Sequence, residues 1–175
     1  MTTKWRTEKP SADEHAPFYA GYIAEAPGAD VLGALEQQAT EIPAFVRGIP
    51  GAKGDHRYAE GKWSVKDVVL HICDAERVFS YRLLRISRND QTDLPGFDEN
   101  LFVMNAGAGS HTLAQLADQF AAVRRSTLAL LAPMQDDQMT RRGTANGNPI
   151  SARAIAWILA GHADHHVRVI RERYL

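Results

Sequence analysis

Apolar residues recur at three- and four-residue steps along four long stretches of this chain, a step that places them on one face of an α-helix. The first stretch starts near Asp30. Its apolar face consists of Leu32, Leu35, Ala39, Ile42, Val46 and Ile49. Pro43 lies inside it and is expected to kink the helix or to split off its last turns. Because almost no stretch alternates apolar and polar residues, the pattern predicts an all-α protein built as a four-helix bundle.

The second and third helices have clear start signals. Ser64 is a candidate N-cap, and Asp67 stands at the reciprocal third position of a capping box. The apolar stripe that follows predicts a second helix as far as about Asn89. The third helix is expected to open near Thr112 and to end at Pro133, which cannot continue a helix.

The fourth helix is predicted from about residue 150 to residue 173, after a turn-rich segment at 143–149. The connection between the second and third helices, residues 90–111, is too long for a tight antiparallel turn. We therefore expect these two helices to run parallel, with the connection crossing the bundle.

The first 29 residues are rich in proline, alanine and glycine and show no helical period. Three aromatic residues, Phe18, Tyr19 and Tyr22, are available to anchor this segment. We predict an irregular N-terminal arm over residues 1–29, lying across a bundle domain over residues 30–175.

Composition excludes several classes of protein. The chain has 175 residues and a single cysteine, which excludes an internal disulfide or a cysteine-rich zinc scaffold and suits a reducing cytoplasm. A net charge of −1, without a basic block, argues against a nucleic-acid partner. The longest apolar run, at 154–161, is far shorter than the roughly 18 residues that a membrane span needs.

Seven histidines are conspicuous beside one cysteine. His162 and His166 lie four residues apart and within about 20° of the centre of the fourth helix's apolar face, so both can reach one metal ion. His165 lies about 80° away. His71 flanks the apolar face of the second helix and is the best candidate for a third ligand. The alternative is that each buried histidine is simply hydrogen-bonded in the core.

The remaining histidines, His15, His56 and His111, fall in the arm or in connections, where a solvated surface position is expected. Because ligating histidines must be deprotonated, ordinary histidine pKa values predict that metal affinity falls as the pH drops through about 6.

Two other side chains of the second helix need an interpretation. Glu76 lies inside the apolar face, where a carboxylate needs a cation or a donor. It is either half of a structural ion pair with Arg124 or Arg125, or a general base or orienting group beside the metal. Cys73 points away from His71 on the helix and is expected to be a small buried apolar residue.

Four short segments resemble the DinB/YfiT-like superfamily: residues 61–76 and 161–166, with residues 95–99 and 146–150. The resemblance implies an up-down-down-up bundle and a divalent metal ion, zinc or nickel, on His71, His162 and His166. It also implies a homodimer, a link to stress responses, and metal-dependent hydrolysis or thiol-dependent transfer.

Three neutral imidazoles leave a divalent ion with open positions. Such an ion can activate water for hydrolysis, or bind a thiol and favour the thiolate. The sequence therefore predicts a metal-dependent hydrolase or a low-molecular-weight-thiol S-transferase acting on a small molecule. The alternative is a non-catalytic, metal-stabilised module that binds a small ligand or a partner.

The back of the fourth helix carries Trp157, Ala160 and Gly161, where a solvated face would be charged. Two interpretations have equal standing: a homodimer patch, or a surface covered by the N-terminal arm.

Overall fold

The computed structural model describes residues 3–175, so the first two residues of the predicted arm lie outside the described range. The helices are α1 (Lys4–Thr7), α2 (Ala20–Glu25), α3 (Val31–Gly48), α4 (Val65–Ser87), α5 (Glu99–Asn105), α6 (Leu113–Leu131), α7 (Asp136–Met139) and α8 (Ala152–Arg173). The strands are β1 (Arg142–Ala145) and β2 (Asn148–Ser151). The four long helices α3, α4, α6 and α8 are the four that the sequence predicts.

Side-chain caps explain where the long helices begin. The Ser64 hydroxyl accepts a hydrogen bond from the Asp67 amide at 3.1 Å, and the Asp67 carboxylate accepts one from the Ser64 amide at 2.8 Å. This reciprocal pair is the predicted capping box. Ser151 caps α8 through the Ala154 amide, so the fourth helix starts two residues later than predicted. Helix α3 continues through Pro43 without a break.

Contacts between helix ends establish the chain directions. Arg47 near the end of α3 pairs with Asp118 near the start of α6, whereas Leu35 near the start of α3 accepts a hydrogen bond from Arg124 in the second half of α6. Helices α3 and α6 are therefore antiparallel.

Helices α4 and α6 are parallel, as the long connection predicts. Arg141, just after the short helix α7 that follows α6, donates to the carbonyl of Ser87 at the C-terminal end of α4. Helix α8 starts beside the same end, where the Ala152 amide donates to Arg141. It finishes beside the start of α4, where the Tyr174 hydroxyl donates to the carbonyl of Trp63. The resulting order is up-down-down-up.

The hairpin of β1 and β2 was not predicted; only turns were expected there. The two strands pair antiparallel around Asn146 and Gly147, whose φ values are 52° and 71°. Two consecutive residues with positive φ, in the order Asn-Gly, are typical of the tight hairpin turn that matches strand twist. The signal for the hairpin was therefore present in the sequence.

The N-terminal arm is more ordered than predicted, with α1, α2 and single turns of 3₁₀ helix. Trp5 is buried, and its carbonyl accepts a hydrogen bond from Nε1 of Trp157 at 3.1 Å. Helix α2 packs closely along α8: a Cβ atom built on Gly161 would lie 1.8 Å from the carbonyl oxygen of Tyr22. The arm therefore covers the back of α8, and the interpretation of that face as a homodimer patch is wrong.

No helix among the described residues is long and apolar enough to cross a membrane.

Candidate metal centre

Three histidines from two helices converge between α4 and α8. Nε2 of His162 lies 3.1 Å from Nε2 of His71 on α4 and 3.2 Å from Nε2 of His166 one turn further along α8. One nitrogen from each ring lies within 4.8 Å of the other two. The four-residue spacing on α8 and the inward position of His71 on α4 produce this meeting, so the three predicted residues are brought together.

The spacing of these nitrogens fits a metal ion. Nitrogens bound tetrahedrally at about 2.0–2.1 Å are about 3.3 Å apart, which is close to both observed separations. The three histidines, called the histidine cluster below, could hold a divalent ion.

Burial keeps the cluster neutral at ordinary pH. It lowers the pKa of His71 to about 4 and that of His166 to about 3. The neighbouring histidines contribute to the lowered pKa of His166. Burial and the same neighbours lower the pKa of His162 well below its usual range. A neutral imidazole is the form that binds a metal. Proton competition should therefore begin well below the pH of about 6 expected from ordinary histidines.

The lowered pKa values predict that the metal-free protein loses stability in acid. Below about pH 6.5 the unfolded chain protonates His71, whereas the folded chain does so only near pH 4, so falling pH favours the unfolded state. We expect the free energy of unfolding to fall by about 3 kcal/mol between those pH values from His71 alone. Urea unfolding at a series of pH values measures it. His71→Leu should reduce the acid-induced loss, whereas replacing the exposed His56 by Gln should not. An equal loss in wild type and His71→Leu would contradict the prediction.

Glu76 belongs to a different polar group. Both of its carboxylate oxygens accept hydrogen bonds from Arg124, at 2.7 and 2.9 Å, and the two side chains are 2% and 0% exposed. Arg124 also donates to Gln38, whose amide reaches the carbonyl of Ala160 on α8. This arrangement is the structural ion pair considered from the sequence, and it ties α3, α4, α6 and α8 together.

The other histidines lie outside the cluster. His165 is half-buried, and its ring centre is 5.1 Å from that of His166. His56 is exposed and His111 half-buried. The surface position expected for His15 is wrong: it is 7% exposed, and its Nδ1 lies 2.9 Å from the carbonyl of Ala16, because the arm folds onto the bundle.

Cys73 is buried, as expected, and burial raises the pKa of its thiol to about 12. A thiol with such a pKa is neither a nucleophile nor a metal ligand at neutral pH.

Aromatic rings enclose the cluster. The Trp63 ring centre lies 4.8 Å from that of His71, and Tyr22 from the arm lies 5.3 Å from His162. From the sequence, Tyr22 is expected only to anchor the arm, and Trp63 has no expected role. The contact of Tyr22 with His162 has no local signal, since it joins segments that are distant in sequence, whereas Trp63 lies only eight residues before His71.

Two cavities meet the histidine cluster. The arm cavity, of about 280 Å³, contacts His71 and His162 and is bounded by the arm and the hairpin turn. The C-terminal cavity, of about 410 Å³, contacts His166 and is bounded by the end of α8 and the segment before α4. A ligand can therefore reach the histidine cluster through either of two cavities.

A four-helix bundle with three converging neutral histidines defines a class of protein that could hold a divalent metal ion in its core. Comparison with known proteins identifies the family within this class. A family model for the DinB superfamily matches residues 34–170, and the chain belongs to that superfamily. This confirms the resemblance found in the sequence.

Among solved structures, the chain is similar to YfiT from Bacillus subtilis, described as a probable metal-dependent hydrolase with an unusual four-helix bundle topology. The two share 18% identity with a TM-score of 0.71, over 94% of this chain and 90% of YfiT. The likeness confirms the predicted bundle fold. No curated protein matches the chain.

Proposed function

We propose that the protein is a metal-dependent enzyme acting on a small molecule, with one divalent ion bound by His71, His162 and His166. The observation that carries the proposal is the spacing of 3.1 and 3.2 Å between neutral imidazole nitrogens. Zinc and nickel both accept imidazole ligands, and three of these leave coordination positions for a reactant.

When bound, such an ion acts as a Lewis acid and lowers the pKa of a coordinated water or thiol. The chain supplies the rest of the site. Burial holds the three imidazoles neutral, and the rings of Trp63 and Tyr22 pack against His71 and His162. Cys73, the only cysteine, is buried and protonated, so the nucleophile must be water or a thiol from outside.

Hydrolysis is the first candidate reaction. It needs one organic substrate and water, and the description of YfiT as a probable metal-dependent hydrolase supports it.

Transfer of a low-molecular-weight thiol is the second candidate, and the two cavities favour it. One cavity touches the cluster at His71 and His162, and the other touches it at His166. Two separate cavities can hold a thiol and its electrophile at the same time, which a hydrolase does not require.

Several finer expectations belong to the same proposal. They are a cytoplasmic location, a role in a stress response, a homodimer formed through a surface other than the arm-covered back of α8, and a division of the chain into an arm (1–29) and a bundle domain (30–175). A non-catalytic module that uses the ion for stability is the competing function.

Turnover assays separate these functions. Protein prepared without an affinity tag is stripped with a chelator, reloaded with zinc or nickel, and assayed on aryl esters and on thiols with chlorodinitrobenzene. We expect turnover only in the loaded protein; dependence on added thiol would identify the transferase. Absence of all turnover, with unfolding on chelation, would support the non-catalytic module instead.

A further inference from the structure

The arm cavity contains a buried arginine that the proposed metal chemistry does not use. Arg82 on α4 lines this cavity and is only 2% exposed. One of its nitrogens, Nη2, donates to the carbonyl oxygen of Pro95 at 2.8 Å. No carboxylate among the described residues lies within 4.0 Å of its guanidinium, whereas the buried Arg124 has Glu76. A buried cation is costly to maintain without an anionic partner.

Arg82 lies on the same side of α4 as His71, because eleven residues make three turns and bring the two positions to within about 20°. The Arg82 guanidinium carbon is 5.5 Å from the centre of the Phe79 ring, and that ring is 6.5 Å from the His162 ring. A single aromatic ring therefore separates the arginine from the histidine cluster.

Two connecting segments hold Arg82 at the end of the cavity. Residues 95–99 supply the Pro95 carbonyl and Phe97, whose ring centre is 6.0 Å from the guanidinium carbon. This segment is joined to the hairpin turn by a hydrogen bond from the Asn146 amide to the Leu94 carbonyl at 2.9 Å.

The remaining polar groups of the cavity favour a singly charged anion. Burial raises the pKa of Tyr19 although the nearby Arg82 guanidinium opposes that rise, so the Tyr19 hydroxyl is protonated and can donate a hydrogen bond. The exposed Glu99 also lines the cavity, and its carboxylate repels a doubly charged group such as a phosphate about twice as strongly as a single carboxylate at the same distance.

We propose that Arg82 binds the carboxylate of a small monocarboxylate ligand whose apolar body lies among the aromatic rings of the arm cavity. A volume of about 280 Å³ suits a compact acid with about one ring. That the other end of the ligand faces the metal rests on the proposed function; that Arg82 recognises a carboxylate does not.

Calorimetric titration tests the inference with benzoate, phenylacetate and 3-phenylpropanoate, each beside its neutral amide. Both metal-free and zinc-loaded protein are titrated. We expect at least one acid to bind the wild type about tenfold or more tightly than its amide, in both forms, because the charged hydrogen bonds to Arg82 are lost with the amide. Arg82→Met should remove the preference, whereas Arg77→Met, a change at an exposed arginine of the same helix, should preserve it.

Circular dichroism checks that each variant folds. If Arg82→Met does not fold, the same titrations are made with Arg82→Lys. This variant keeps the charge but loses the planar guanidinium, so it should keep only part of the preference for acids. No preference for any acid over its amide at millimolar concentration would overturn the inference. Acid binding that needs zinc and ignores Arg82 would overturn it too, and would leave the metal proposal intact. Acid binding to metal-free protein that depends on Arg82 supports the inference even if the metal proposal fails.

Discussion

Replacing His166 by alanine should weaken zinc binding by about a hundredfold or more, while the same change at its neighbour His165 should leave zinc binding unchanged. His166 provides one of the three converging nitrogens, 3.2 Å from Nε2 of His162. His165 is outside the cluster and contacts Arg168 and Glu25 instead. The loss is large because two imidazoles cannot replace the third bond to the ion.

Competition with a chromophoric chelator measures both affinities, and the pair is a matched control because the two residues are adjacent in sequence. His166 is the better choice for this test than His162, which is more deeply buried and whose removal would disturb the core more. Equal losses of zinc affinity in the two variants would contradict the assignment of His166 as a ligand.

Replacing Glu76 by glutamine should lower the free energy of unfolding by about 3 kcal/mol or more and leave zinc affinity unchanged. Glutamine keeps the shape of the side chain but removes the charge that Arg124 needs, and Arg124 is fully buried. The variant would therefore hold an uncompensated cation in the core.

Urea unfolding measures the stability of this variant, and chelator competition measures its zinc affinity. The double variant Glu76→Leu with Arg124→Met should regain part of the lost stability, because it removes both charges together. A loss of zinc affinity without a loss of stability would instead place Glu76 in the metal site, which was the alternative from the sequence.

The four long helices and the pairing of His162 with His166 are predictable from sequence because each depends on local periodicity, and His71 is added as a third ligand from its position beside the apolar face of its own helix. The capping box at Ser64 marks the start of α4, and the spacing of His162 and His166 places both on one face of α8. The 90–111 connection is also informative, since it is too long for a tight antiparallel turn and so favours two parallel helices.

The enclosure of the site depends on contacts between distant segments and has no local signal. Gly161 illustrates the problem: a small residue on the back of a helix fits a dimer contact as well as a contact with the chain's own arm. Only the approach of the Tyr22 carbonyl decides between them. Arg82 combines a local and a long-range feature. Its spacing of three helical turns from His71 follows from the sequence, whereas its lack of an anionic partner follows only from the structure.

X-ray absorption at the zinc edge, on wild-type protein loaded with zinc and dialysed, tests the central claim most directly. We predict one ion per chain with three imidazole nitrogens at about 2.0–2.1 Å, no sulfur scatterer, and at least one further light-atom ligand in an open position. Failure to retain zinc, or a zinc spectrum with sulfur or with fewer than three imidazoles, would contradict the three-histidine metal centre.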